Sequence, residues 1–462
     1  MTLSCDVAVV GAGPGGYVAA LRAAQLGAKV LLVEKEDVGG VCLNHGCIPT
    51  KALLRTAEIL TLSRQAPEFG VMVGKPQLDW AAAQKRKSMV VRRLTGGVKF
   101  LLKKAGVESL QGTARFASPT VLEVTPANGT ERIEAASYVI ATGSRSASLP
   151  IPGLEGPGVI TSREALTLEA LPNSMLIVGG GAIGVEFATL FGICGVQTTI
   201  VELLPRLLPL LDSDLGAEVE QSLKKAKVNV QTASSVSRVA RRDGLLAVTV
   251  LSDSQETVLE VDAVLVAVGR RPNVEDVGLD LAGVRVERTG IVTDDRMRTN
   301  VSNVYAVGDV TGGALLAHVA MKEGIVAVEN ALGRSSVMNY TAVPACVFAQ
   351  PEVASVGLSE EQAKQQGHDV RVGKFPFRAN GKALAQGETE GLVKIVADGE
   401  YGQVLGVHIV GPHASDLIQE GTLCLTLEST WDEIQATIHP HPTLSEAFAE
   451  AALAIQGHAL HM

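Results

Sequence analysis

The sequence has little of what marks nucleic-acid-binding, membrane and secreted proteins. Its 40 Lys and Arg stand against 49 Asp and Glu, a net charge of −9. That balance argues against polyanionic partners, because nucleic acids and anionic membrane surfaces are gripped by clustered positive charge. No run of about eighteen apolar residues occurs, so no helix is expected to span a bilayer. Six cysteines among 462 residues are too few for a secreted disulfide framework. The chain enters a strand pattern at Cys5 with no basic segment and long apolar stretch before it, so no signal peptide is expected. No Cys-x-x-Cys appears, and no metal site is expected. These absences lead to the expectation of a soluble, cytoplasmic protein that binds neither nucleic acid nor membrane.

What is present is an ordinary globular composition, 46% hydrophobic, with 48 glycines that suit tight turns and backbone-to-ligand contacts. The length allows two to four domains, each with a sizeable core. Residues 5–10 read as a buried parallel strand, and Gly11-Ala12-Gly13-Pro14-Gly15-Gly16 opens a helix through Leu26. A second strand then runs from Lys29 to Glu34. This is a strand–turn–helix–strand unit with G-x-G-x-x-G at Gly11, Gly13 and Gly16. It ends on an acid placed to accept from ribose hydroxyls. The glycines let the backbone approach a pyrophosphate at the positive helix N-terminus. The unit then returns: strand Met175–Val178, turn Gly179, Gly181 and Gly184, a helix through about Gly192, and strand Thr198–Glu202. The interval from first glycine to acid is the same in both copies. Two such sites on one chain imply two nucleotides, the pattern of a flavoprotein that also uses a nicotinamide. A carboxylate at Glu202 would repel a 2′-phosphate, which favours NAD over NADP, although Arg206 follows closely.

Just downstream of the first unit lie Cys42 and Cys47. In a straight helix their Cα atoms would be separated by a rise of about 7.5 Å, whereas a disulfide tolerates up to about 7 Å. If the pair bridges, the backbone between must depart from a helix, and Gly46 and Pro49 suit that. An easily reduced bridge would be a redox tool; the alternative is two unrelated buried thiols. Cys5, Cys194, Cys346 and Cys424 lie in apolar patterns and read as inert core thiols.

Further along, residues 85–105 read as a helix whose Lys85, Arg86, Lys87, Arg92 and Arg93 form a solvated face. Residues 109–139 read as a small antiparallel meander with a turn at Asn128-Gly129. Residues 138–144 and 263–269 are matching strand-to-glycine exits, and residues 304–309 form a strand with Asp309 at its C-terminal end. Beyond about Ala342 the nucleotide signals stop and a last domain is expected. The expected division is 1–148 (first nucleotide domain), 149–270 (second), 271–341 (return to the first) and 342–462 (last domain).

Six motifs in one order carry a family resemblance. They are the two glycine turns, Gly39-Gly40-x-Cys42-Leu43-Asn44-x-Gly46-Cys47-Ile48-Pro49-x-Lys51, Gly269-Arg270-Arg271-Pro272-Asn273, Gly308-Asp309 and His441-Pro442-Thr443-Leu444-Ser445-Glu446. Together they resemble the flavoprotein disulfide reductases, over nearly the whole chain, and most closely the branch that oxidises dihydrolipoyl groups. The resemblance implies an α/β fold with two Rossmann-like dinucleotide-binding domains, for FAD and NAD, plus a C-terminal α+β dimerisation domain. FAD would lie along the first unit, with Glu34 on the adenosine ribose, Lys51 near the isoalloxazine and Ala114 at the adenine end. Gly143 belongs to the strand-to-glycine exit of that unit, Asp309 would hold the ribityl side, and Ala317 would meet the flavin ring. NAD would lie along the second, with Glu202 on its ribose, Val236 and Gly269 nearby, and Glu186 pairing with Lys51 across the flavin.

The same resemblance assigns the chemistry. Cys42 and Cys47 would form the redox disulfide, Cys47 facing the flavin as a charge-transfer thiolate and Cys42 exchanging with substrate. His441 would be the base, oriented by Glu446 and supplied by the partner subunit of a homodimer. Electrons would pass from protein-bound dihydrolipoyl groups, on the lipoyl domains of multienzyme complexes, through the disulfide and FAD to NAD. His439 is also followed by proline, and only the His-Pro-Thr-x-Ser-Glu register singles out His441. His45 reads as a solvent-facing loop residue, and His318 as either packing or functional. Thr50 stands where serine is usual, and Lys382 where arginine is common; neither is expected to touch a redox group. Relatives that reduce glutathione or trypanothione use NADPH, which Glu202 opposes. Mercuric reductases end in a cysteine pair that this tail lacks, and soluble transhydrogenases lack one of the two redox cysteines present here. A purely structural subunit of a multienzyme complex would not need the intact cysteine, lysine, histidine and glutamate set.

Overall fold

The computed structural model describes residues 2–125 and 129–462. Two compact units emerge, each assembled from separate stretches of chain. The first comprises the chain up to Leu53 with Ala81–Ala147 and Gly269–Asn339; the second comprises Leu54–Trp80, Ser148–Val268 and Tyr340–Met462.

The first unit is built on a seven-stranded sheet. Its strands are β1 (Thr2–Val10), β2 (Val30–Glu34), β3 (Glu108–Gln111), β4 (Thr113–Ser118), β5 (Val121–Thr125) and β6 (Glu131–Ile140), in the order β3-β2-β1-β6-β5-β4. The strand Val304–Ala306 adds to β6 in parallel. β1 over Val7–Val10 and β2 over Val30–Val33 are apolar and buried on both faces, as parallel strands covered by helices must be. Ten-residue β6 serves three partners: Arg132–Ile140 pairs parallel with β1 along one edge, and along the other Glu131–Glu134 pairs antiparallel with β5 and Tyr138–Ile140 parallel with Val304–Ala306. The meander is therefore β4, β5 and β6, while β3 pairs parallel with β2 and belongs to the nucleotide-binding half. Of the turn expected at Asn128-Gly129, Asn128 lies outside the described residues. Tyr138 fills the core where the two halves meet, edge-on to Phe116 with ring centroids 5.2 Å apart.

The helices of this unit are α1 (Pro14–Gln25), α2 (Gly40–His45), the start of α3 (Cys47–Gln65), most of α4 (Trp80–Lys104) and Ala317–Ala331. α1 and Ala317–Ala331 pack closely, because Gly15 and Gly324 meet without side chains. α4 begins five residues before the expected helix. Its solvated face also has an exception, for Lys87 is 7% exposed and donates to Gln84 Oε1 at 2.6 Å. Burial lowers the Lys87 pKa.

In the second unit a parallel sheet runs in the order Asn229–Gln231, Gln197–Val201, Ser174–Val178, Ala263–Val266, Val159–Thr161. An antiparallel three-stranded sheet, residues 234–261, packs through Val239 and Val248 onto the same core. The C-terminal stretch forms a five-stranded antiparallel sheet with Val404–Gly411 at its centre. Helices Ala414–Thr426 and Glu446–Ala454 cover it, burying Ile418, Ala447 and Phe448 against Phe375, Val407 and Ile409. The molecule is thus α/β in both nucleotide regions and α+β at its end.

Candidate active site

The two glycine turns are built alike. Gly11 has φ +99° and Gly179 φ +108°, a region that only glycine enters freely, and a Cβ on either would collide with the carbonyl oxygen of Ala141 or Ala267. A Cβ on Gly16 or Gly184 would collide with the carbonyl oxygen of Gly11 or Gly179. At Gly13 and Gly181, by contrast, nothing lies within 4 Å of where a Cβ would be. Each of these two glycines is also the N-cap of a 12-residue helix, and among the described residues no side chain caps either one. Open space over uncapped helix N–H groups is what a pyrophosphate requires. Both turns fit a dinucleotide.

The acids close the turns in the same manner. Glu34 Oε2 accepts from Ala12 N–H at 2.6 Å and Oε1 from Glu36 N–H at 2.8 Å. Glu202 Oε2 accepts from Gly180 N–H at 2.5 Å and Oε1 from Leu204 N–H at 2.8 Å. Each oxygen keeps a lone pair for a ribose hydroxyl.

The other expected residues fall into the two units. In the first, Ala114 is buried in β4, Gly143 accepts from Asn273 N–H at 2.9 Å, and Ala317 starts its helix. Asp309 accepts a hydrogen bond from the Ser144 hydroxyl and faces Arg270 Nε at 3.6 Å. Arg270 in turn donates to Ser144 Oγ and to Ser144 O, each at 2.7 Å. Gly269 O accepts from Ala147 N–H at 2.9 Å. In the second unit, Glu186 is buried and accepts from Phe348 N–H at 3.0 Å, and Val236 is buried in the strand Ser234–Arg242.

Cys42 lies in α2 and Cys47 opens α3. Between them Gly46, at φ −146° and ψ −107°, leaves the helical region, which is the departure that bridging requires. Thr50 Oγ1 donates to Gly46 O at 2.6 Å and fastens this break. Both cysteines are thiols in this structure. The Cys42 pKa is raised, first by its hydrogen bond to Cys47 and then by burial, while Lys51 one turn along α3 opposes the rise. His45 is the half-buried last residue of α2 rather than a solvent-facing loop residue. Burial pushes the thiols of Cys5, Cys194 and Cys424 up to about 11, so all three are inert at neutral pH.

His441 and Glu446 meet in the second unit. His441 Nδ1 donates to Glu446 Oε1 at 2.8 Å, and Glu446 Oε2 accepts from Thr443 N–H at 2.8 Å. With Nδ1–H committed, Nε2 carries the basic lone pair, on a side chain 79% exposed. Burial pushes the Glu446 pKa up, but the Thr443 N–H and His441 outweigh it and leave it lowered. His439 is a different residue in kind. Its Nε2 lies 2.8 Å from Glu420 Oε1 and its Nδ1 3.0 Å from Thr437 O, so both nitrogens face acceptors. The Glu420 contact raises its pKa, and no nitrogen is left to act as a base. Ser144 and Arg270, which brace Asp309, stand in segments singled out above, the 138–144 strand exit and the Gly269–Asn273 motif, but nothing local marks either as a partner of Asp309. Among the described residues no group of His, Cys, Asp and Glu could hold a metal, and no helix is long and apolar enough to cross a membrane.

Two glycine turns, a dithiol and a carboxylate-bound imidazole define a class of protein that comparison with known chains also returns. Residues 5–324 match the family model described as pyridine nucleotide-disulphide oxidoreductase, and residues 343–452 match that family's dimerisation domain. The chain belongs to the pyridine nucleotide-disulphide oxidoreductase family, and its C-terminal region is the part that forms the dimer. Its relatives are more specific. It is 43% identical to the dihydrolipoyl dehydrogenase of Bacillus subtilis (strain 168), covering 100% of both chains. It is 46% identical to that of Thermus scotoductus, covering 99% of this chain and 98% of the other. Among solved structures it resembles LpdA from Mycobacterium tuberculosis, with a TM-score of 0.90 at 28% identity over 97% of this chain and 99% of that one. It also resembles the HOCl-induced flavoprotein disulfide reductase RclA from Escherichia coli, captured as its Cu(II) complex, with a TM-score of 0.88 at 29% identity over the same shares.

Proposed function

We propose that this chain is an NAD-linked dihydrolipoyl dehydrogenase, a cytoplasmic homodimer that oxidises dihydrolipoyl groups on the lipoyl domains of multienzyme complexes. The observation that carries the reading is the cysteine pair at the Gly46 helix break, adjoining a dinucleotide turn, on a chain that also supplies an exposed His441–Glu446 pair. Full-length likeness to dihydrolipoyl dehydrogenases supports the substrate class. FAD, when bound by the first unit, supplies a two-electron relay between thiols and the nicotinamide held by the second.

The chain's own residues do the rest. His441 Nε2 of one subunit takes the proton of an incoming thiol, and Glu446 stabilises the imidazolium that results. The substrate thiolate attacks Cys42 Sγ of the oxidised pair; the Cys42–Cys47 bond breaks and Cys47 leaves as a thiolate. The second substrate thiol then displaces Cys42 and passes its proton to the departing Cys42 Sγ, closing the lipoyl disulfide, so the substrate has lost two electrons and the protein pair has gained them. Lys51 places positive charge where electron density arrives. Glu34, Ala114, Gly143, Asp309 and Ala317 would hold FAD, and Glu202 and Val236 would hold NAD. A steady-state assay of flavin-loaded protein with dihydrolipoamide, comparing NAD⁺ with NADP⁺, tests this. Rapid reduction of NAD⁺ alone is expected. Inertness toward dihydrolipoamide in a yellow protein whose flavin NADH still reduces would sink the substrate assignment.

A further inference from the structure

Glu202 is joined by a second charge at the second nucleotide turn. After Glu202 the chain makes a short loop fastened to the turn at both ends: Leu204 N–H donates to the Glu202 carboxylate, and Leu208 N–H to Gly180 O at 2.9 Å. The Leu207 side chain also abuts Gly180. Arg206 is the sole cation of residues 203–208, and an arginine beside the ribose is what a 2′-phosphate would seek. Its guanidinium is already engaged. Nη1 and Nη2 meet Glu361 Oε1 and Oε2 at 2.9 and 3.0 Å, a bidentate fork.

Glu361 does not reach Arg206 by chance of a mobile surface. It is the second residue of the helix Glu360–Gln365, capped by a reciprocal Ser359–Gln362 pair. The preceding Glu360 donates its N–H to Asp212 Oδ2 at 3.1 Å and places Oε2 2.8 Å from Lys394 Nζ. Lys394, 1% exposed, also contacts Asp212 at 2.9 Å and Asp214 at 2.6 Å. Asp212 is itself the N-cap of the helix Ser213–Lys225. One buried ammonium held by three carboxylates thus fixes the helix that carries Glu361 against the loop that carries Arg206.

We infer that Glu361 is a specificity-determining positioning residue: by holding Arg206 it withholds this loop's cation from a 2′-phosphate, and leaves Glu202 to face the ribose. This rests on the NAD reading above. The test is calorimetric titration of the flavin-loaded protein with 2′,5′-ADP and with ADP, which read the 2′-phosphate without turnover. Glu361→Ala should tighten 2′,5′-ADP binding about five-fold, the size an exposed charge pair sustains. ADP binding should move by less than about two-fold. Adding Arg206→Gln should cancel the gain, and Glu361→Asp should largely restore the original preference. An unchanged 2′,5′-ADP affinity in Glu361→Ala, or a gain that survives Arg206→Gln, overturns the inference. A wild-type protein that binds neither ADP nor NADH overturns the nicotinamide reading, and this inference with it.

Discussion

The two nucleotide turns are the same device down to individual N–H groups, and they part company one residue after the acid loop begins. Ala12 and Gly180 donate to Glu34 and Glu202, and Glu36 and Leu204 donate to the other oxygen of each. In the second unit the chain then folds back at once, and Leu207 packs on the turn. In the first unit it meets Gly39 and Gly40, both at positive φ. Gly39 N–H donates to Ala12 O at 2.8 Å, and a Cβ on Gly40 would lie 2.7 Å from Gly13 Cα. Two glycines therefore bring α2, with Cys42, directly against the pyrophosphate turn. Nucleotide binding is repeated in this chain, and the thiol chemistry is attached to one copy at the point where the other closes its loop.

The largest effects should separate the two copies. Gly16→Ala puts a methyl group into the carbonyl of Gly11, a backbone collision that cannot be relieved by rotating a side chain. The purified protein should carry no flavin, as read by its visible absorbance. Gly184→Ala makes the equivalent collision with Gly179; it should stay yellow while half-saturation by NADH rises at least about five-fold, the lower range of overpacking costs. Loss of flavin from both variants would show that the copies are not independent. His441→Gln comes next and should divide the reaction itself. Dihydrolipoamide oxidation should fall by at least about a hundred-fold, as removal of a general base does, while reduction of the flavin by NADH keeps its rate. Near-normal dithiol turnover would remove His441 from the mechanism, and His439, with both nitrogens engaged, could not replace it.

A smaller effect contrasts the thiols. Cys5, Cys194 and Cys424 keep their protons until the pH nears 11, about two units above an ordinary thiol. At pH 8 their alkylation should be about a hundred-fold slower than that of a free cysteine. Mass mapping of alkylated protein checks this, and labelling at the ordinary rate would mean that these sites open to solvent.

What was legible in the sequence is what local pattern encodes. Turn glycines, a strand before and a helix after, and an acid at fixed interval all lie within one supersecondary unit, so both copies could be read directly. The Gly46 break could be argued from the reach of a disulfide against the rise of a helix. Lys87 could not be placed, because its burial depends on what covers α4 and not on its own helix. β3 looked like part of a meander since its residues alternate, yet its partner is β2, fixed by the parallel register of the nucleotide sheet. Asp309 was marked by its position at a strand end, whereas Ser144 and Arg270 come from distant segments and are brought to it only by the fold. Arg206 raised a doubt about cofactor choice in the sequence; the answer, Glu361, lies 155 residues away.

The finest test of the likeness between the copies is to remove each acid. Glu34→Ala and Glu202→Ala delete the same two hydrogen bonds, but the settings differ: Ala12 and Gly180 are both buried, whereas Leu204 N–H loses a part-buried bond and Glu36 N–H an exposed one, and Glu202 itself is buried where Glu34 is half-buried. An enclosed N–H left without a partner costs about 1–3 kcal/mol, and one that water can reach costs far less. Glu202→Ala should therefore lower the melting temperature more than Glu34→Ala, with both measured on flavin-loaded protein. Glu202→Ala should also erode the preference for NAD⁺ over NADP⁺, since the repelling carboxylate is gone, while Glu34→Ala should leave that ratio alone. Equal melting shifts would mean that Leu204 N–H finds water once the carboxylate is removed. An unaltered cofactor ratio would discard Glu202 as the group that reads the ribose.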